Sequence, residues 1–131
     1  MTATATQTKT RRILVVANER VEATEVRDAV RFRARKTPDA EVLLIAPASV
    51  ESERAAELRV AAAIERLRTE GLYAEGLVME ADPSRAIDEA LALFDADEIV
   101  IATSDKARTN EVVRTTRLRH AKPIFQVAAP P

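Results

Sequence analysis

The sequence predicts an α/β domain built on a five-stranded, parallel, doubly wound sheet with helices on both faces. Three observations carry this. Short apolar runs rich in β-branched residues recur at 12–17, 41–46 and 97–102. Each is too short for an ordinary helix and too uniformly apolar for a strand with one wet face, so each suits a strand covered on both sides. Segments of helical spacing separate the runs, and right-handed crossovers turn such alternation into parallel pairing. Finally, 131 residues at 47% apolar and 31% charged make one ordinary core, too apolar for a disordered chain and too short for two domains.

The elements follow in order. Residues 1–10 have no apolar run and read as a flexible tail, leaving 11–131 as a single domain. The first strand is Arg12 to Ala17. Glu22 to Lys36 carries Ala23, Val26, Val30 and Ala34 at helical spacing, with acids early and Arg33, Arg35 and Lys36 late, matching the helix dipole. Pro38-Asp39 interrupts before the second strand, Glu41 to Ala46, which Pro47 ends. A helix from about 50 to 70 is expected to turn Ala55, Leu58, Ala61, Ala62, Ile64 and Leu67 inward, with Gly71 as the residue after its C-cap. Tyr73 to Glu80 forms the third strand. Asp82-Pro83 then starts a helix, since the carboxylate can cap it and a proline in the first turn loses no hydrogen bond. The stripe Ile87, Ala90, Leu91, Phe94 continues it at i, i+3, i+4, i+7. The fourth strand is Asp97 to Ala102. A polar stretch, 103–109, leads into a helix from about Asn110 to His120, and Pro123 to Val127 is the last strand.

Composition excludes several functions. There is no cysteine, hence no disulfide, thiolate nucleophile or cysteine-ligated metal, which fits a cytoplasmic protein; a single histidine rules out multi-histidine sites. The two glycines, Gly71 and Gly76, cannot form a glycine-rich phosphate loop. No apolar run reaches the roughly 20 residues of a membrane span, and the N-terminus lacks a signal peptide's apolar region. Twenty Lys and Arg against 21 Asp and Glu give a net charge of −1, so no overall attraction to nucleic acid or membrane is expected.

Several strings, in this order and spacing, resemble the universal stress protein family. Glu80-Ala81-Asp82-Pro83-Ser84-Arg85-Ala86-Ile87-Asp88-Glu89-Ala90 is similar to the family's "GDPxxAIxxxA", and Ala96-Asp97-Glu98-Ile99-Val100-Ile101-Ala102 to its "ADLIVIG". Arg119-His120-Ala121-Lys122-Pro123-Ile124 resembles "RHAPCPV", and Arg12-Ile13-Leu14-Val15-Val16-Ala17-Asn18 resembles "ILVPVD". Together they cover 12–127. The resemblance implies a Rossmann-like sheet of the adenine nucleotide alpha hydrolase-like kind, with strand order 3-2-1-4-5 and a switch point between strands one and four. It also implies a stress-response role and a homodimer. Two departures bear on ligands. The family's nucleotide-binding branch carries a G-x2-G-x9-G-[ST] loop after strand four, where this chain has the glycine-free Ala102-Thr103-Ser104-Asp105-Lys106-Ala107-Arg108-Thr109. The family's aspartate at the end of strand one is Asn18 here, an amide that hydrogen-bonds without charge. We therefore expect no cofactor, with ATP or AMP disfavoured.

Candidate site residues cluster at the switch point. Residues 106–122 hold six cations against Glu111, a net +5, while the rest of the chain is −6. One reading is an anion site: Thr103, Ser104 and Thr109 offer hydroxyls, Lys106 and Arg108 charge, and Asn18 an amide from strand one. The other is a solvated face with late arginines facing a helix C-terminus. A hydrolase could recruit Ser104 and His120, but a helix separates them and the resemblance puts His120 at that helix's last turn; no enzymatic activity is expected. Asp95, Asp97 and Glu98 read as a loop and strand start with carboxylates turned to water, so no metal site is expected. Ile124, Phe125 and Val127 lie on an edge in the implied order, and pairing across a two-fold would cover it.

Overall fold

The structure, a computed structural model, describes residues 11–17, 24–35, 39–47, 53–79, 82–102 and 106–127. The elements are β1 (Arg12–Ala17), α1 (Thr24–Ala34), β2 (Glu41–Pro47), α2 (Glu53–Thr69), β3 (Tyr73–Met79), α3 (Pro83–Leu93), β4 (Glu98–Ala102), α4 (Lys106–Arg119) and β5 (Ile124–Gln126). All strand pairs are parallel, in the order β3-β2-β1-β4-β5. This is the predicted order. The expected tail, residues 1–10, lies outside the described residues.

Alternation along each strand divides the apolar runs between two cores. Ile13, Val15, Val42, Leu44 and Val100 meet α1 and α2 through Val26, Val30, Ile64 and Leu67. Leu14, Val16, Leu43, Ile45, Ile99 and Ile101 meet α3 and α4 through Ile87, Ala90, Val112 and Val113. The six residues expected at the sheet's centre (Ile13, Val15, Leu43, Ile45, Val100, Ile101) are all at most 8% exposed. Burying each such side chain contributes roughly 1.5–3 kcal/mol, which is why a run without polar interruption must be covered twice.

Local chemistry sets the boundaries. Asp82 caps α3, its carboxylate accepting from the N–H groups of Ser84 at 3.0 Å and Arg85 at 3.2 Å, with Pro83 in the first turn. Gly71, at φ 88°, follows α2; the N–H of Leu72 donates to Leu67 O and that of Gly71 to Arg68 O, closing a Schellman motif.

Two expectations are corrected. The inward face of α2 is Ala56, Val60, Ala63, Ile64 and Leu67, while Ala61 is exposed and Leu58 is 62% exposed. Alanines occupy every side of this helix, so its stripe is ambiguous in sequence; packing on β3 decides it. A Cβ at Gly76 would lie 2.4 Å from Val60 Cγ1 and 3.0 Å from Ile64 Cγ1, so the bare glycine is what lets this face of α2 approach the strand. The last helix begins at Lys106, four residues before the expected Asn110. Lys106-Ala107-Arg108 are good helix formers without glycine or proline, and they continue the helix toward β4.

Candidate functional site

In an open parallel sheet the ligand crevice lies beyond the carboxyl ends of strands whose connections leave for opposite faces. Here those are β1, whose chain continues to α1 on one face, and β4, whose chain continues to α4 on the other. Their last register pair is Ala17 and Ala102, both fully buried. Asn18, Thr103 and Ser104 follow these alanines in sequence and lie outside the described residues. Lys106 and Arg108 fall in the first turn of α4, although their side chains are outside the described residues. Topology thus brings the ends of β1 and β4 and the start of α4 together, as the sequence expected.

Thr109 does not fit the expected loop. It sits inside the start of α4 and is 2% exposed, so it belongs to the packed face of the helix and not to a solvent-facing cradle. The first turn of α4 contains no acid and two cations, the reverse of what a helix N-terminus favours. Each such cation costs about 0.3–1 kcal/mol unless an anion is near.

The opposite end of the sheet holds a constellation that sequence reasoning missed. Glu98 opens β4 with its carboxylate 2% exposed, receiving Arg33 Nε on Oε1 at 2.5 Å and Arg11 Nη1 on Oε2 at 2.7 Å. Arg33 also lies over the ring of Phe125, 3.6 Å from its centroid. The expected water-facing carboxylate is therefore wrong for Glu98. One strand position earlier, Asp97 accepts the backbone N–H of Arg12 at 2.8 Å. The signal in the sequence was an acid directly adjoining a doubly buried run, a place where a charge must find partners.

His120 stands at the end of the last helix, where the resemblance put it. It follows the last helical residue, Arg119, and its N–H donates to Thr116 O at 2.8 Å. Its ring Nε2 lies 2.8 Å from Asp88 Oδ1, and the same carboxylate pairs with Arg119. Asp88 thus ties the end of α4 to α3, a structural clamp on which no catalytic step is built. Among the described residues no group of His, Asp and Glu is placed to hold a metal ion, and no helix is long and apolar enough to cross a membrane.

At the β5 edge, Ile124 packs on the α3–α4 core while Phe125 and Val127 pack on the other. The edge residues are on the sheet margin, as expected, but their side chains largely serve their own cores. What the margin leaves outward is backbone, Gln126 bonded to Asn110 at 2.8 Å, and Leu118, 83% exposed.

No family model matches the sequence, and no curated protein matches it. Solved structures do. A universal stress protein from Archaeoglobus fulgidus aligns at TM-score 0.66 with 20% identity, over 89% of this chain and 93% of that one. The universal stress protein from the same organism in complex with dAMP aligns at 0.57 and 22%, over 92% and 99%. A universal stress protein family protein from Arabidopsis thaliana with AMP bound aligns at 0.60 and 12%, over 90% and 91%. The likeness carried by the sequence strings extends to the whole architecture: this chain has the fold of the universal stress proteins.

Proposed function

We propose that this chain is a divergent, non-enzymatic universal-stress-protein-like domain, cytoplasmic and homodimeric, that responds to stress and binds ATP weakly or not at all. The observation that carries this reading is the glycine-free sequence between β4 and α4 in a chain that otherwise keeps the fold over nearly its full length. A triphosphate cradle needs backbone N–H groups to close on the phosphates, and the 103–109 sequence has no glycine to allow that approach and carries an acid, Asp105. A surface ion pair contributes only about 0.2–1 kcal/mol, so Lys106 and Arg108 would not by themselves replace such a cradle. ATP is therefore expected to bind with a Kd above about 0.1 mM, weaker than about −5.5 kcal/mol. Thermal-shift titration followed by calorimetry at low salt tests this; micromolar ATP affinity abolished by Arg108→Ala overturns it.

A second reading is favoured by the dAMP and AMP found in two structural neighbours. A monophosphate asks less of a cradle than a triphosphate does. A sensor for an adenine nucleotide or another small phosphorylated anion would use Asn18 and the basic first turn of α4. In the same titration, AMP or dAMP raising the melting temperature where ATP does not would select this reading.

The dimer is assigned to β5, whose outer edge has no strand beside it among the described residues. Because Phe125 lies under Arg33, Phe125→Lys would strike the fold as well as the edge. Leu118→Asp, at an exposed position, is the cleaner perturbation. Sedimentation velocity at micromolar concentration should show a dimer that this change weakens, and a stable wild-type monomer rules the assignment out.

A further inference from the structure

The sheet has a second margin, β3, and it is poorly defended. Its sequence, Tyr-Ala-Glu-Gly-Leu-Val-Met, contains no proline or lysine, the usual residues that discourage a further strand from pairing. Ala74 is buried and Gly76 lies against α2, so that face of the strand is held down. The other face carries Tyr73, Glu75 and Leu77. Helix α3 packs on β2 and β1 on its way to β4, leaving these outer side chains bare. Tyr73 is 63% exposed, Leu77 43% and Leu93, at the end of α3, 77%; with Phe94 and Leu43 they border a groove of about 650 Å³. Three large apolar side chains exposed around one groove form a patch, unlike the singly scattered apolar residues that need no explanation.

Charge selects the occupant. Glu75 stands between Tyr73 and Leu77 on this face, and among the described residues it has no ion-pair partner. A second copy pairing β3 against β3 about Glu75 would set carboxylate against carboxylate, which is unfavourable for directly opposed residues. A strand carrying a cation at that place, with apolar residues on either side, satisfies both the groove and the carboxylate. We propose that the β3 edge is a docking surface for an extended segment of a protein partner, which adds a sixth strand and sets apolar side chains around a lysine or arginine facing Glu75. Arg68 Nε already donates to Ala74 O at 3.0 Å at the start of the strand, so backbone hydrogen bonds to the edge beyond Ala74 supply pairing, and the groove and Glu75 supply register and selectivity.

The test uses the full chain and two peptides as long as β3, alternating valine and threonine, one with a central lysine and one with a central glutamate, N-methylated along one edge to prevent self-association. Amide spectra of the labelled protein should report binding of the lysine peptide at Tyr73–Met79. The glutamate peptide should bind about fivefold more weakly, the upper range of a cross-strand charge pair. On Glu75→Lys protein, exposed at the substituted position and so expected to fold, that preference should reverse. No binding at millimolar peptide, a preference that does not reverse, or perturbations at Ile124–Gln126 in place of β3 would each overturn the proposal. So would self-association lost in Leu77→Asp and kept in Leu118→Asp, which would make the face an interface between copies.

Discussion

Replacing Glu98 by glutamine removes a charge that the fold has taken out of water, and its effect can be worked from the contacts. The carboxylate is 2% exposed and receives two guanidinium groups at 2.5 and 2.7 Å. Breaking a buried pair by neutralising one partner costs about 3–5 kcal/mol, because the other charge stays buried. Here the cost is smaller on one side: the Arg11 side chain is 40% exposed and can turn to solvent, while Arg33, at 19%, remains held over Phe125. Glutamine also keeps one oxygen that can accept from Arg33, offsetting roughly 1 kcal/mol. The expected loss is therefore about 2–3 kcal/mol, or about 6–12 °C in Tm for a domain of this size. Urea denaturation followed by circular dichroism measures it, with an unchanged slope showing that the unfolded state is the same. Urea is preferred to guanidinium because it does not screen the pair. Arg11→Gln should cost under about 1 kcal/mol, as for other exposed partners. A Glu98→Gln protein within about 0.5 kcal/mol of the parent, the range of an ordinary surface change, would refute the claim that this cluster anchors the amino end of the sheet.

Two further perturbations probe the packing and the caps. Gly76→Ala drives a methyl to 2.4 Å from Val60 Cγ1, so it should lose about 1–3 kcal/mol by denaturant titration, and adding Val60→Ala should restore part of that loss by making room. Purely additive losses would mean that the strain is relieved elsewhere. Asp82→Ala removes the acceptor for the Ser84 and Arg85 N–H groups and should cost about 1 kcal/mol, while Asp82→Asn should retain most of the cap; equal losses for both would show that charge, and not hydrogen bonding, matters here.

The architecture was legible in the chain alone, because periodicity and capping are local. Ile13 to Ala17, Val42 to Ala46 and Ile99 to Ala102 could be hidden only by two covered faces, and Asp82-Pro83 and Gly71 fixed helix ends through groups within a few residues of each other. The strings shared with a known family supplied the strand order, which local pattern does not contain. Of the candidate site, the sequence put the ends of β1 and β4 and the start of α4 at one switch point, as the topology has them, yet it could not tell that Thr109 is packed away inside α4. Which side of the alanine-rich α2 faces inward was settled only in the packed molecule, since the choice rests on a glycine several residues beyond the helix. Packing likewise made Glu98, in sequence merely one more acid beside Asp97, a buried ion-pair centre. Its partners lie 65 and 87 residues away along the chain, and a contact at that distance comes into being only when the helix and the strands have packed.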